Sequence, residues 1–283
     1  MTWSIDGRTV LITGGNSGIG RATAAALADR GANVVITARD QSAGHAVAEE
    51  LSRSGGSVRS MQLDLSDASS TTALASRFLD ETDDLGVLIN NAGVMLGSSA
   101  TSSDGHEMTF RVNHLGHFQL TCLLNDRLTA SGPARVITLA SSAHYSADRV
   151  ELEPPAGRYR GFRTYSRSKL ANVLFATELA RRIEGTAVRS YAVHPGLVST
   201  RLAQDGDSRL SGFLWKLYSS RMLTPDEGAA TTVYAATDPA LDDDSGAYLS
   251  DEGIKAPSDL SGDEVLARRL WEFSEEATGC RIP

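Results

Sequence analysis

The sequence predicts an α/β fold, a doubly wound parallel sheet of about seven strands with helices on both faces. Two observations carry that expectation. Short β-branched runs alternate with longer helical patterns, and the strand-like runs are continuously apolar, as strands buried on both faces require. A glycine-rich turn, TGGNSGIG, sits where the first run gives way to the first helical pattern.

The elements follow in order. Arg8–Thr13 is the first strand, and Ile19–Gly31 is an alanine-rich helix closing on a glycine. Asn33–Arg39 is the second strand, followed by a helix over Gln41–Arg53. Ser57–Leu65 is the third, followed by a helix over Asp67–Thr82, and Gly86–Gly93 is the fourth. A long helical pattern covers Asp104–Ala130, and Ala134–Ser142 is the fifth strand. Phe162–Arg182 is a helix with an apolar stripe, and Ala187–Gly196 is the sixth strand. A helix over Pro225–Ala236, a short seventh strand at Gly246–Ser250 and a last helix over Glu264–Ala277 complete the series. With no repeat, low-complexity stretch or linker, residues 1–283 read as one domain, and Val150–Gly161 as a loop insertion.

Composition narrows the class. The chain has 283 residues, 41% of them hydrophobic, enough for a packed core. Its 27 basic and 35 acidic residues give a net charge of −8 without a basic stripe, which argues against nucleic acid as a partner. Cys122 and Cys280 are the only cysteines; they indicate a reducing compartment, or one pairing between them. No apolar run approaches the roughly 18–20 residues of a spanning helix, and the first residues lack a signal peptide's charged-then-apolar order. A soluble, cytoplasmic protein without a membrane anchor is expected.

The turn at Thr13–Gly20 spaces Gly14, Gly18 and Gly20 as G-x-x-x-G-x-G. At a strand–helix junction such glycines permit a tight turn and let the helix's free N–H groups approach a pyrophosphate. A dinucleotide site for NAD places an acid at the end of the second strand. Here Ala38 stands at that point and Arg39 follows, whose guanidinium suits a 2′-phosphate, so NADP(H) is favoured over NAD(H). Asp40 is the rival acid if the strand ends later. Asp64 closes the third strand, either to bond an adenine amino group or to cap the next turn. The fourth strand runs into Asn90-Asn91-Ala92-Gly93, at the carboxyl edge where open α/β sheets bind ligands.

Tyr165 and Lys169 stand one turn apart at the start of a helix. A phenol near pKa 10 is a poor proton donor and acceptor at neutral pH, and a neighbouring ammonium stabilises its phenolate. Ser141 and Ser142 end the fifth strand, where a hydroxyl can hold a substrate oxygen beside the phenol. These groups suit hydride transfer at a carbon whose oxygen exchanges a proton with Tyr165. His114, His117 and His144 have no metal-ligand spacing, read as packing or loop histidines, and no metal is expected.

TGGNSGIG, LDL at Leu63–Leu65, NNAG at Asn90–Gly93, Asn113, Ser141, YSRSK at Tyr165–Lys169 and HPGLVST at His194–Thr200 together resemble the short-chain dehydrogenase/reductase family. YSRSKLANVLFATELARR and NHLGHFQLT are similar to its retinol dehydrogenase and WW-domain-containing oxidoreductase branch. The resemblance implies a Rossmann-type fold, with Tyr165 as general acid/base and Lys169 lowering its pKa. Ser141 would orient the substrate oxygen, and Asn113 would hold a water linking Lys169 to solvent. Cofactor contacts are implied for Gly14, Asn16, Ser17, Gly18, Ile19 and Gly20 in the turn, and for Arg39, Asp64 and Leu65 beyond the next strands. They are implied also for Asn91, Ala92, Gly93, Tyr165 and Lys169, with Pro195, Gly196, Val198 and Thr200 on the nicotinamide side.

Residues 197–222 are apolar and read as a substrate-covering segment or an amphipathic surface helix, the former implying a hydrophobic carbonyl or alcohol. Assembly as a homodimer or homotetramer is the family's habit. The leading expectation is an NADP(H)-dependent carbonyl reductase or alcohol dehydrogenase. Its rivals are reduction of a carbon–carbon double bond on the same scaffold and a non-catalytic nucleotide-sensing regulator.

Overall fold

The computed structural model of the protein describes residues 3–53, 55–150, 152, 158–198 and 223–282. Its strands are β1 (Thr9–Ile12), β2 (Asn33–Ala38), β3 (Ser57–Gln62), β4 (Val87–Asn90), β5 (Ala134–Leu139), β6 (Val188–Val193), β7 (Tyr248–Ser250) and β8 (Gly253–Lys255). The helices are α1 (Gly18–Ala28), α2 (Gln41–Arg53), α3 (Ala68–Glu81), the single turn α4 (Met108–Phe110), α5 (Gly116–Ala130), α6 (Gly161–Arg182), α7 (Pro225–Thr237) and α8 (Glu264–Thr278).

The strands form one sheet in the order β3-β2-β1-β4-β5-β6-β7-β8, parallel except for the last pair. The chain reverses its winding between β1 and β4, which opens a crevice at their carboxyl ends. Successive residues of each strand feed opposite cores. Val10, Ile12, Val34, Ile36, Val87 and Ile89 pack with α1 and α7, while Leu11, Val35, Leu88 and Val136 pack with α3, α5 and α6. Both faces are covered, hence the continuous apolar runs.

Local chemistry sets the helix ends. Asp67 accepts a hydrogen bond from Ser69 N to start α3, and Thr224 and Glu227 form a reciprocal capping box at α7, with Pro225 in its first turn. Asp263 caps α8, which stops at Gly279 in the left-handed region (φ 66°). Across α6, Trp271 of α8 is buried, stacked on Phe175 with 5.9 Å between centroids and edge-on to Phe118 at 4.9 Å. Helix α6 is thus pressed between β5, β6 and α8, and its two chemical residues stand on a fixed rod.

Three expectations needed correction. The sheet has eight strands, β8 adding an antiparallel edge after the seventh. The segment Asp104–Ala130 is not one helix: α4 and α5 are separated by a π-helical turn over Arg111–Leu115. Strands three to six each end three residues earlier than the apolar runs, because the chain leaves the sheet to form the site loops. Residues 199–222, including Thr200 and most of the expected substrate-covering segment, lie outside the described residues. None of the described helices is long and apolar enough to cross a membrane. Cys122 and Cys280 are free thiols.

Candidate active site

The glycine turn lies at the carboxyl end of β1. Gly14 takes φ +65°, and a Cβ at Gly20 would stand 2.5 Å from both Asn91 Nδ2 and the Gly14 carbonyl oxygen, so only glycine fits there. Ser17 precedes α1 in extended conformation and makes no side-chain cap, which leaves its hydroxyl and the first-turn N–H groups of α1 facing outward. Asn16, Gly18 and Ile19 are partly exposed along the same turn. This cradle fits the diphosphate of a nicotinamide dinucleotide.

Asn91 fastens the turn. Its Nδ2 donates to Thr13 O at 2.6 Å and Gly14 O at 3.3 Å, while the backbone N–H groups of Asn91 and Ala92 donate to Thr13 Oγ1 at 2.9 and 3.0 Å. At the end of β2, Asp40 Oδ1 accepts from Ser42 N and Ala43 N, so this acid is committed to starting α2. Arg39 is exposed and its guanidinium makes no ion pair among the described residues. Asp64 Oδ1 accepts from Ser66 N at 2.9 Å and Ser66 Oγ at 2.6 Å, which leaves its other oxygen for an adenine group. The Leu65 side chain is buried against Gly116.

Ser141 starts a 3-10 turn (Ser142–Ser146) just beyond β5, its Oγ accepting from Ala143 N at 3.2 Å. Tyr165 is half-buried on the first turns of α6; burial pushes its phenol above the usual value, and hydrogen bonding with the Ser141 side chain pulls it back. Lys169 Nζ lies 5.7 Å from the Tyr165 ring centroid and donates to Leu139 O at 2.8 Å. Its burial lowers the ammonium's pKa from 10.5 to about 8. The sequence-expected Ser141, Tyr165 and Lys169 therefore meet at one sheet edge.

Asn113, on the π-turn, is held through both ends of its amide. Oδ1 accepts from Val94 N at 2.7 Å, and Nδ2 donates to Val94 O at 3.0 Å and Ser168 Oγ at 2.9 Å. Ser168 Oγ donates in turn to Tyr165 O at 2.8 Å. A side chain at Gly93 would begin 3.3 Å from Asn113 Oδ1 and 3.6 Å from Lys169 Nζ, so glycine keeps the space between them open. Pro195 and Gly196 are half-buried beyond β6, and Val198 packs against Gly228 of α7.

Composition and spacing gave no warning of the supporting shell. His117 Nε2 lies 2.8 Å from Thr13 Oγ1 and its Nδ1 3.0 Å from Asn113 O. His144 joins Ser141 O to Ser258 N, and His194 Nδ1 accepts from Ser142 N. Burial holds all three imidazoles below their usual pKa, His117 down to about 3. His114, bonded to Ser274 under α8, is the packing histidine the sequence suggested. Among the described residues no cluster has the make-up of a metal site.

A dinucleotide cradle and a Tyr–Lys–Ser set on one sheet edge define an oxidoreductase, and similarity agrees. The short chain dehydrogenase profile matches residues 8–210, and the chain belongs to that family. Human retinol dehydrogenase 12 is 44% identical over 281 residues, covering 98% of this chain and 88% of that protein. The chain thus sits in the family's retinol dehydrogenase branch. Among solved structures, an uncharacterised protein from Mycobacterium paratuberculosis superposes with a TM-score of 0.80 at 37% identity over 100% of both chains. The Pseudomonas aeruginosa RhlG/NADP active-site complex gives 0.71 at 28% identity, over 87% of this chain and 95% of that one.

Proposed function

We propose that this chain is an NADP(H)-dependent oxidoreductase that interconverts a carbonyl and an alcohol on a small hydrophobic substrate. The observation that carries the reading is Tyr165 beside Lys169 on α6, with the Ser141 hydroxyl on the phenol, at the edge that holds the glycine cradle. The turn from Gly14 to Gly20 binds the diphosphate through backbone N–H groups, and the exposed Arg39 guanidinium recognises the 2′-phosphate. The nicotinamide, when bound, supplies or takes the hydride.

The chain's own groups manage the proton. In reduction Ser141 orients the substrate oxygen and Tyr165 OH gives it a proton; in oxidation the phenolate takes one. Lys169 in its ammonium form stabilises the phenolate, and the gap at Gly93 admits a water between Lys169 Nζ and Asn113 Oδ1 to return the proton. A hydrophobic substrate is supported by Tyr145, Phe162 and Leu197, which lie within four residues of Ser141, Tyr165 and Gly196 in sequence and are exposed at 51%, 59% and 69%. Retinol dehydrogenases as relatives point the same way.

The test is NADPH oxidation with a panel of lipophilic aldehydes and ketones, NADH alongside, and product analysis to separate carbonyl from carbon–carbon reduction. Tyr165→Phe is expected to abolish turnover and leave NADPH binding nearly intact. A wild-type protein that binds NADPH yet reduces nothing in the panel, or an active Tyr165→Phe, would refute the reading.

A further inference from the structure

His117 bridges two parts of the site that are remote in sequence. It is buried at 1% exposure on α5, one turn after Asn113, and touches no surface where substrate or cofactor would lie. Its ring nitrogens reach the glycine turn on one side and the π-turn on the other.

The direction of these bonds follows from saturation. Thr13 Oγ1 already accepts from Asn91 N and Ala92 N, which fills both lone pairs, so its own hydrogen must be donated. The nearest acceptor is His117 Nε2 at 2.8 Å, well inside the 3.4 Å to Ile89 O. An accepting Nε2 leaves the ring proton on Nδ1, which then donates to Asn113 O at 3.0 Å. One neutral tautomer satisfies every partner. From Asn113 the chain of bonds continues through Ser168 to the Tyr165 carbonyl on α6.

We propose that His117 is a positioning residue: it ties the diphosphate-binding turn to the Asn113 turn, so that cofactor docking and the proton site share one frame. The proposal rests on the oxidoreductase reading for its catalytic half alone. The π-turn makes such a tie useful. Gly116 N reaches back to Arg111 O, so the helix is widened at Asn113, and the imidazole fixes where that widened turn presents its carbonyl. The Asn113 carbonyl is held by a protein N–H, which orients the amide that grips Val94 and Ser168.

Two substitutions separate the ends. In His117→Asn the side-chain amide stands where Nδ1 stood, keeping the Asn113 bond and losing Thr13. In His117→Gln it reaches to the Nε2 position, keeping Thr13 and losing Asn113. We expect His117→Asn to raise the NADPH Kd roughly tenfold with kcat little changed, and His117→Gln to lower kcat roughly tenfold with Kd little changed, each the size of one lost buried hydrogen bond. Parallel effects in the two variants, or a lower melting temperature with both constants unchanged, would overturn the tie.

The Kd arm needs no turnover, so it decides the proposal even if the wild type reduces nothing, in which case only the oxidoreductase reading fails. Where a variant does not fold, the wild-type imidazole answers by nitrogen NMR. An Nδ1-protonated ring whose resonances move on NADPH addition supports the tie; an Nε2-protonated ring, or one indifferent to NADPH, removes it.

Discussion

Lys169 and Asn172 donate to the same acceptor, the Leu139 carbonyl at the end of β5, with Nζ at 2.8 Å and Nδ2 at 2.9 Å. Asn172 therefore keeps that carbonyl satisfied when the lysine is removed or swings away. Burial weakens proton binding by Lys169 in the folded protein, from 10.5 to about 8, so the unfolded chain binds more protons between those values and stability rises with pH across them. Below about pH 8 the buried ammonium costs stability in full. Lys169→Met should then be inactive yet more stable at pH 7 by on the order of 3 kcal/mol in urea unfolding, a gain that shrinks as pH rises toward 10.5. Equal or lower stability at pH 7 would mean the ammonium is not penalised.

Arg39→Ala should weaken NADPH by roughly tenfold to a hundredfold, the range of a charge-assisted pair, and leave NADH nearly unchanged. Arg39 is exposed with no carboxylate partner among the described residues, so its loss disturbs no internal ion pair. Equal losses for both cofactors would remove 2′-phosphate recognition, and titration of cofactor fluorescence reads the two constants directly.

The parts legible in the sequence were those written in short-range chemistry. Continuous β-branched runs gave β1 to β6, and the glycine spacing and the Tyr165–Lys169 step gave two pieces of the site. Strand β8 escaped because Gly253–Lys255 is a three-residue edge with an exposed Ile254, and because its hairpin turn uses Asp251 and Glu252 at φ 51° and 52° instead of the Asn-Gly or Asp-Gly pair that marks such turns. The π-turn has no compositional mark at all. His117 read as a packing histidine, and Ser168 and Asn172 carried no signal, because their partners, Thr13, Asn113 and Leu139, are brought to them only by the sheet order. The strand end on which the Asp40 reading depended could not be placed to one residue from the sequence: β2 stops at Ala38, and Asp40 Oδ1 accepts from Ser42 N and Ala43 N at the start of α2.

Gly20→Ala should abolish NADPH binding without unfolding the protein. The new methyl would meet Asn91 Nδ2 and the Gly14 carbonyl oxygen at 2.5 Å, and relief requires moving either the turn or the Asn91 bonds that hold it to β4. Gly14, Gly20 and Asn91 are not themselves apolar residues of the two main cores, so melting should fall modestly while the cofactor Kd rises beyond measurement. Calorimetric titration paired with thermal denaturation separates the two. Retained NADPH affinity in the variant would place the diphosphate elsewhere.

The pH profile of reduction follows from the same buried groups. Burial keeps Tyr165 protonated at neutral pH, ready to donate, and its charge partner Lys169 holds its proton only below about 8. As pH rises through that value the ammonium is lost and the developing phenolate is no longer stabilised, so kcat/KM for reduction should be level near neutrality and fall on the alkaline side. The histidines contribute no acid limb there: His117 titrates at about 3, and burial depresses His144 and His194 as well. A fall in rate below about pH 6.5, the ordinary histidine value, would show that one of these imidazoles is more accessible to protons than its burial implies. Lys169→Arg would move the alkaline limb upward if the ammonium sets it, because a guanidinium stays charged far above pH 8. A limb unmoved by that change would assign it to Tyr165 itself.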